Sequence, residues 1–183
     1  MKTTGTRTAA ATLAALVALT LGGCSGGDDT VAPSSGDNPV VAPGGDAPAA
    51  GLPDACALLT AGDIASIIDA SYGEGVFNDQ LSDAGQNICE WKSSDSPVKF
   101  IQVLVKHGNA DQIAGERASA EDFMGDSSDV SVVGGSKAYT VAGGSILGMG
   151  VDGYFVQVSN MSTSTDDVTV QTVALAGIVA GNI

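Results

Sequence analysis

The side chains that could carry chemistry in this sequence are few. Three cysteines, at positions 24, 56 and 89, and one histidine, His107, accompany 21 Asp and Glu residues. A zinc site needs several Cys or His ligands at close spacing, and the sequence has no CxxC pair and no second histidine. As a general base, His107 would need a nucleophile and an orienting acid, and no GxSxG motif supplies the nucleophile. We therefore interpret His107 as a solvated loop residue and expect no catalytic residue, no metal site and no cofactor.

The composition excludes a nucleic-acid partner. The chain has 7 Lys and Arg against 21 Asp and Glu, which gives a net charge of −14, whereas binding of phosphates requires clustered cations. Aromatic residues make up only 4% of the chain, too few for a stacking surface for single-stranded nucleic acid. Hydrophobic residues make up 44%, so part of the chain can bury a core.

The first 24 residues combine two early cations with a short apolar run. Lys2 and Arg7 precede Ala9–Leu21, which is apolar except for two threonines. A charged head followed by about 7–15 apolar residues is typical of a secretory signal. The run is too short for a membrane-spanning helix, which needs about 20 apolar residues. We predict a signal peptide over residues 1–23.

The apolar run closes with Leu21-Gly22-Gly23-Cys24, a tetrapeptide that resembles the lipobox of bacterial lipoproteins. The resemblance implies cleavage before Cys24 and a diacylglyceryl group on its thiol, which anchors the protein at the outer face of the cytoplasmic membrane. Each buried methylene contributes about 0.8 kcal/mol, and two acyl chains suffice for stable anchoring. The cleaved chain would keep 5 cations and 21 acids, a charge of −16. Anionic lipids repel such a chain, so its anchor has to be hydrophobic.

A segment of unusual composition follows the predicted anchor. Residues 25–51 hold four prolines, six glycines, four acids, no cation and no aromatic residue. Such a segment cannot bury enough apolar surface to offset its ordering entropy. We predict that residues 24–51 are a lipidated cysteine and a disordered tether, with an end-to-end distance of about 30 Å. Residues 52–183 are then a single globular domain, long enough to bury about two-thirds of its unfolded surface.

Two cysteines remain if Cys24 carries lipid. Exported proteins fold in an oxidising compartment, so Cys56 and Cys89 are expected to form a disulfide; a metal site and a reactive thiol are the alternatives. Trp91, the only tryptophan, lies two residues after Cys89 and therefore on the same face of a strand. It either packs over the disulfide or is a weak candidate for contact with a partner.

The hydrophobic pattern predicts a domain of the α+β class. Thr60 and Asp63 have the spacing of a capping box at the start of a helix. The dipeptides Gly143-Gly144 and Asp152-Gly153 are tight-turn signals that predict a three-stranded antiparallel meander. We predict a twisted antiparallel sheet of about five to six strands with helices packed on one face. The predicted helices are 61–70, 110–124 and one opened by Asp166 and Asp167, and the predicted strands are 88–92, 100–106, 130–133, 137–142, 145–151 and 154–160.

The segment Asp54-Ala55-Cys56-Ala57-Leu58-Leu59-Thr60, taken with Cys89-Glu90-Trp91, resembles a family of actinobacterial exported lipoproteins known only as a domain of unknown function. Members typically show a lipobox, a Pro/Ser/Gly tether, a D-P-C-x-L-L-T opening and a C-x-W or C-x-Y strand. Here Pro53 precedes Asp54 instead of following it. The resemblance covers residues 53–92 and implies place and fold; it implies no activity, cofactor or catalytic residue.

The sequence therefore favours a lipid-anchored, extracytoplasmic accessory or binding lipoprotein of the cell envelope. We expect a monomer that is not an enzyme and whose partner is an envelope protein or a small ligand. One alternative is an envelope enzyme that uses Asp or Glu on wall glycans, with two carboxylates about 5–9.5 Å apart. Another is a carrier that holds an apolar ligand in an internal cavity of roughly several hundred Å³.

Overall fold

Seven strands form one antiparallel sheet in the part of the chain that the structure describes. The computed structural model describes Ala49, residues 51–162 and residues 167–183. The strands are β1 (Val76–Phe77), β2 (Gln86–Lys92), β3 (Phe100–His107), β4 (Ser128–Asp129), β5 (Ser136–Val141), β6 (Ile146–Val151) and β7 (Tyr154–Asn160). Their order across the sheet is β1-β2-β3-β7-β6-β5-β4, and each neighbouring pair is antiparallel.

Three helices accompany the sheet, and two of them begin at a capping box. The helices are α1 (Ala61–Ile67), α2 (Ala110–Met124) and α3 (Val168–Gly181). The predicted box of Thr60 and Asp63 is confirmed at α1, and Asn109 and Gln112 form a second box at α2. Each box satisfies backbone N–H groups that the first turn leaves without intrahelical partners. Helix α1 ends three residues before the predicted end, because Ile68 adopts an extended conformation.

One face of the sheet carries the main hydrophobic core. Alternate residues of a strand point to the same face, so Ile101, Val103 and Val105 of β3 lie on one side, each 0% exposed. Leu175 and Val179 of α3 belong to the same buried cluster, and α1 contacts α3. We call this side the helix-covered face.

Helix α2 packs on the opposite, second face of the sheet. Its Ile113 is buried in a smaller cluster with Tyr139 of β5 and Phe155 of β7. Leu104, which alternates with the core residues of β3, packs against that cluster. The prediction that helices pack on one face only is therefore wrong for α2. On β3, Gln102 and Lys106 flank Leu104 on the second face, so the sequence of this strand does not indicate an apolar surface there. The apolar residues that α2 covers on this face are contributed mainly by other strands, such as Tyr139 and Phe155.

The α+β class is confirmed, and the sheet has seven strands instead of the predicted five to six. Strands β1 and β4 have two residues each, too few to show a hydrophobic alternation. The predicted strand 130–133 is wrong: the strand in this region is β4, which ends at Asp129 and pairs with Tyr139 and Thr140. Both short strands lie at the edges of the sheet, where short strands leave few unpaired backbone groups exposed.

The predicted meander is present as β5, β6 and β7. Asp152 and Gly153, with φ of 45° and 88°, connect β6 to β7 as a two-residue hairpin turn requires. A short 3-10 turn, Ala142–Gly144, connects β5 to β6, and its three residues all have positive φ. The first connection is therefore longer than the predicted Gly-Gly turn.

The described chain contacts the sheet before the predicted domain boundary at Leu52. The Ala49 N–H donates to Asn87 Oδ1 at 2.7 Å, and Asn87 Nδ2 donates to the Pro53 carbonyl at 3.0 Å. Asn87 is 0% exposed, so its amide needs both partners. The last residues of the predicted tether therefore belong with the domain.

The predicted signal peptide, Cys24 and the predicted tether as far as residue 48 lie outside the described residues. So does Asp166, whereas Asp167 is the N-cap residue of α3 and makes no side-chain capping hydrogen bond. Among the helices that the structure describes, none is both long enough and apolar enough to cross a membrane.

A disulfide between Cys56 and Cys89 is confirmed, with their Cα atoms 5.1 Å apart. Cys56 lies in a 3-10 turn, Ala55–Ala57, whose N-cap Asp54 accepts the Cys56 N–H at 2.9 Å. Cys89 is in β2 and is 0% exposed. The bond thus joins the N-terminal turn to the sheet.

Removing this disulfide should destabilise the domain. Its 33-residue separation corresponds to about 3–4 kcal/mol of loop-closure entropy in the unfolded chain. The double variant Cys56→Ala/Cys89→Ala should lose about that much free energy of unfolding in urea, measured by the fluorescence of Trp91. A reducing agent should destabilise the native protein by a similar amount and leave the variant unchanged. Equal stability of both proteins in oxidising buffer would contradict the expectation.

Candidate functional site

Helix α2 covers one half of the second face and leaves the other half open. The helix contacts β5 and β6 and reaches β3 at Lys106, whose Nζ lies 2.7 Å from Glu116 Oε1. Farther along the sheet, Val76 of β1, Glu90 of β2 and Gln102 of β3 lie side by side in register. Val76 is 66% exposed. We call these three residues the open half-face.

A hollow of about 430 Å³ lies against the open half-face and is open to solvent. Three carboxylates line it, those of Glu74, Asp79 and Glu90, together with one ammonium, that of Lys92. Lys92 Nζ is 3.3 Å from Glu90 Oε1, so this cation is already paired. The remaining lining is neutral, which leaves the hollow with a net negative charge. The other lining residues are Gly73, Val76, Phe77, Asn78 and Gln80.

Strand β1, which forms one wall of the hollow, is held by backbone bonds and by a glycine. The Gly73 N–H donates to the Lys92 carbonyl at 2.9 Å, and the Asn78 N–H donates to the Ile88 carbonyl at 2.9 Å. Between them, Gly75 packs so closely on Trp91 that an added Cβ would lie 2.7 Å from the indole ring. The absence of a side chain at this position lets β1 approach the core.

The loop that follows β1 is fixed by its own side chains. Asn78 Oδ1 accepts the Leu81 N–H at 3.2 Å, and Ser82 Oγ accepts the Ile88 N–H at 3.0 Å. Gln86 Nε2 donates to the Leu81 carbonyl at 2.7 Å. The loop therefore has a defined shape, and Leu81 in it remains 52% exposed.

A second hollow, of about 490 Å³, lies between the start of β2 and helix α2. Its lining includes the paired Lys106 and Glu116 and also His107. Lys106 Nζ lies 5.3 Å from the centre of the Phe155 ring, a cation–π distance. Lys106 and Glu116 are already paired with each other, so neither charge is available to pair with a charged ligand.

The outer side of α2 carries an ion-pair network. Arg117 Nη1 donates to Asp129 Oδ1 at 2.6 Å, and Arg117 Nε lies 3.2 Å from Glu121 Oε1; the first of these bonds raises the pKa of Arg117. Ser127 Oγ donates to Glu121, and this bond lowers the pKa of Glu121. Beneath Arg117, burial raises the pKa of Tyr139 to about 12, with the charge of Glu116 as a second cause. The network joins α2 to β4, and we assign it a structural role.

His107 lies at the end of strand β3, where its ring stacks on Tyr154 with centroids 5.5 Å apart. Its imidazole makes no hydrogen bond to a carboxylate or a hydroxyl among the described residues. Ser96 and Lys99 have the Ser-x-x-Lys spacing, but they lie in the turn between β2 and β3, where the Lys99 N–H donates to the Ser96 carbonyl at 3.1 Å. In the described part of the chain, no three His, Cys, Asp or Glu residues form a group that could hold a metal ion.

Trp91 is 0% exposed and belongs to the main buried cluster together with Cys89. Its candidacy as a contact for a partner is therefore wrong, and the alternative, that it packs in the core beside the disulfide, is what the structure shows. The two-residue offset from Cys89 already favoured this outcome, because it places both side chains on one face of β2.

Sequence reasoning missed the open half-face altogether. Residues 74–80 lie in a stretch without hydrophobic period, and one acidic residue between Cys89 and Trp91 does not by itself indicate a binding surface. The only available signal was Gly73-Glu74-Gly75, because glycine in an extended segment often marks a close approach to another group.

Replacing Gly75 by Ala should disturb the core at the wall of the hollow. The new Cβ would overlap the buried Trp91 ring, and overpacking of this kind costs about 1–3 kcal/mol. A matched control is Gly177→Ala inside α3, where an added Cβ meets nothing within 4 Å and should stabilise the helix by about 0.5–1 kcal/mol. Urea unfolding of both variants measures the two effects; an unchanged stability of the Gly75 variant would mean that β1 is not held against the tryptophan.

Comparison of the chain with protein-family models, curated proteins and solved structures gave no match. The function therefore has to be inferred from the described geometry and from the chemistry of the sequence.

Proposed function

We propose that this protein is a lipid-anchored, extracytoplasmic binding module that presents the open half-face to another protein of the cell envelope. In this proposal Cys24 carries a diacylglyceryl anchor, and the domain is a monomer without enzymatic activity at the outer face of the cytoplasmic membrane. The resemblance to the actinobacterial exported lipoproteins belongs to the same proposal.

The open half-face is the observation that carries the binding role. A central sheet normally covers its apolar residues on both faces, and here the helix-covered face is closed while α2 closes only part of the second face. On the remaining part, Val76 is 66% exposed beside a hollow of about 430 Å³. Hollows of about 300–1,000 Å³ are the usual size of binding pockets.

The N-terminal sequence supports the place of action. A lipobox-like tetrapeptide ends at Cys24, and 27 residues rich in proline and glycine follow it. A flexible segment of that length spans about 30 Å, which would hold a domain above lipid head groups. The disulfide between Cys56 and Cys89 is the kind of bond that persists outside the cytoplasm.

The alternative as a carrier of an apolar ligand receives less support. Between the helix-covered face and α3, the space that a cavity would need is occupied by side chains such as Leu175, Val179 and Val158, each 0% exposed. The hollow beside β1 is open to solvent and has carboxylates in its lining, which disfavours an apolar ligand.

The enzyme alternative requires two carboxylates that are free to act on a glycan. Glu90, the carboxylate of the hollow that lies on the sheet itself, is paired with Lys92. One of the three carboxylates of the hollow is therefore already engaged by an ammonium, whereas a binding role requires only the net negative charge of the lining.

The anchor is tested by the variant Cys24→Ser. A serine hydroxyl does not replace the thiol as acceptor of the diacylglyceryl group, so the variant should lose its lipid and leave the membrane fraction, while the native protein stays there. Mass spectrometry of the intact protein from both fractions measures the change. Retention and processing identical to the native chain would contradict the proposed place.

The binding surface is tested by photo-crosslinking in cells. A photoreactive residue at Val76 should form crosslinks to a discrete envelope protein. The same residue at Val170 on α3 should form none, because Val170 lines neither of the two hollows described above. Val170 is 69% exposed and Val76 is 66% exposed, so accessibility to the probe is matched. Equal crosslinking at both positions, or none at Val76, would refute the open half-face as a binding surface.

A further inference from the structure

We infer that the partner of the open half-face is a cationic protein segment that carries at least one large apolar side chain. The inference rests on the proposed function and adds to it the chemistry of the partner. The segment would lie along the second face, with its cations against the carboxylates of the hollow and its apolar side chain against Val76.

Charge complementarity selects a cation. The hollow has three carboxylates, those of Glu74, Asp79 and Glu90, and one ammonium, which Glu90 already engages at 3.3 Å. Its lining therefore keeps a net negative charge on a chain that is acidic throughout. Opposite charges at an interface steer the encounter and exclude partners of the wrong sign. An acidic segment, a nucleic acid or an anionic lipid surface would be repelled at this place.

The exposed apolar side chains beside the hollow favour a partner that has an apolar side chain as well as cations. Val76 is exposed on the sheet itself, and Leu81, the residue after the last lining residue of the loop, is 52% exposed. Burial of such side chains against a partner is favourable in proportion to the apolar area removed from water. A purely hydrophilic cation would leave both residues in water, so a segment that combines cations with an apolar residue fits better.

Other surfaces of the described domain do not offer the same combination. In the hollow beside α2, Lys106 and Glu116 neutralise each other at 2.7 Å. Phe123 at the end of α2 is 86% exposed but lines neither of the two hollows described above. Exposed apolar residues and acidic residues also occur together at Phe123 and Asp122, but Phe123 lines neither hollow, whereas beside β1 Val76 and three carboxylates line the same one.

The test uses the mature lipidated protein in a neutral detergent and a labelled, acetylated and amidated hexapeptide, Lys-Lys-Leu-Phe-Lys-Lys. Fluorescence anisotropy should show binding that weakens as salt is added, because exposed charge pairs are screened. Two control peptides separate the contributions. The charge-reversed Glu-Glu-Leu-Phe-Glu-Glu should not bind, and Lys-Lys-Ser-Gly-Lys-Lys, which lacks the apolar pair, should bind more weakly.

Variants locate the binding on the protein. Glu74→Gln/Glu90→Gln should raise the Kd of the hexapeptide about fivefold, because the variant removes two negative charges from the hollow and leaves the Lys92 ammonium without its partner. Asp122→Asn/Asp126→Asn removes the same charge from exposed positions outside the hollow and should change the Kd by less than about twofold. Val76→Ser should weaken binding where Val170→Ser does not. Equal effects of the two charge variants would mean that the peptide follows the overall acidity, which overturns the inference.

The crosslinking experiment separates this inference from the proposed function. Mass spectrometry identifies the partner segment joined to position 76. A segment rich in Lys or Arg with a large apolar residue supports the inference. An acidic segment, or a cationic one without an apolar residue, overturns it while the binding role stands. If position 76 forms no crosslink, the proposed function fails, and failure of the hexapeptide to bind overturns the inference on its own.

Discussion

The disulfide between Cys56 and Cys89 is the constraint on which the rest of the domain depends. It fixes β2 to the N-terminal turn, and β2 carries residues of both faces in alternation. Because Cys89 and Trp91 are held in the core, Glu90 between them must point to the second face. Strand β1 then lies against Trp91 through Gly75, which brings Val76 beside Glu90. The packing of Cys89 and Trp91 in the core therefore determines where Glu90 and Val76 of the open half-face lie.

Charge and lipid act in opposite directions in the proposed function. A chain cleaved before Cys24 would have 21 acids against 5 cations and would be repelled by an anionic membrane surface, so the proposed acyl chains would have to supply the whole attraction to the membrane. The same acidity that keeps the domain away from lipid raises the local concentration of cationic segments. Anchor and domain can therefore act independently, because neither relies on the electrostatics of the other.

Features determined by neighbouring residues could be predicted from the sequence. The capping box of Thr60 and Asp63, the turn at Asp152 and the pairing of the two domain cysteines each follow from local chemistry or compartment. The two-residue strands β1 and β4 could not be predicted, because so short a strand shows no alternation. The hollow could not be predicted either, because Glu74 and Glu90 come to line the same hollow only when β1 pairs with β2.

The reason why α2 covers only half of the second face lies in the residues of that face. On β6, Gly148 and Gly150 leave space that Tyr139 and Ile113 fill, since an added Cβ would lie 2.6 Å and 2.5 Å from those side chains. At the register position of Val76, the same face has Glu90 on β2 and Gln102 on β3. Their burial beneath a helix would cost free energy without new hydrogen bonds. Close packing of α2 is thus possible on the glycine side and unfavourable on the polar side.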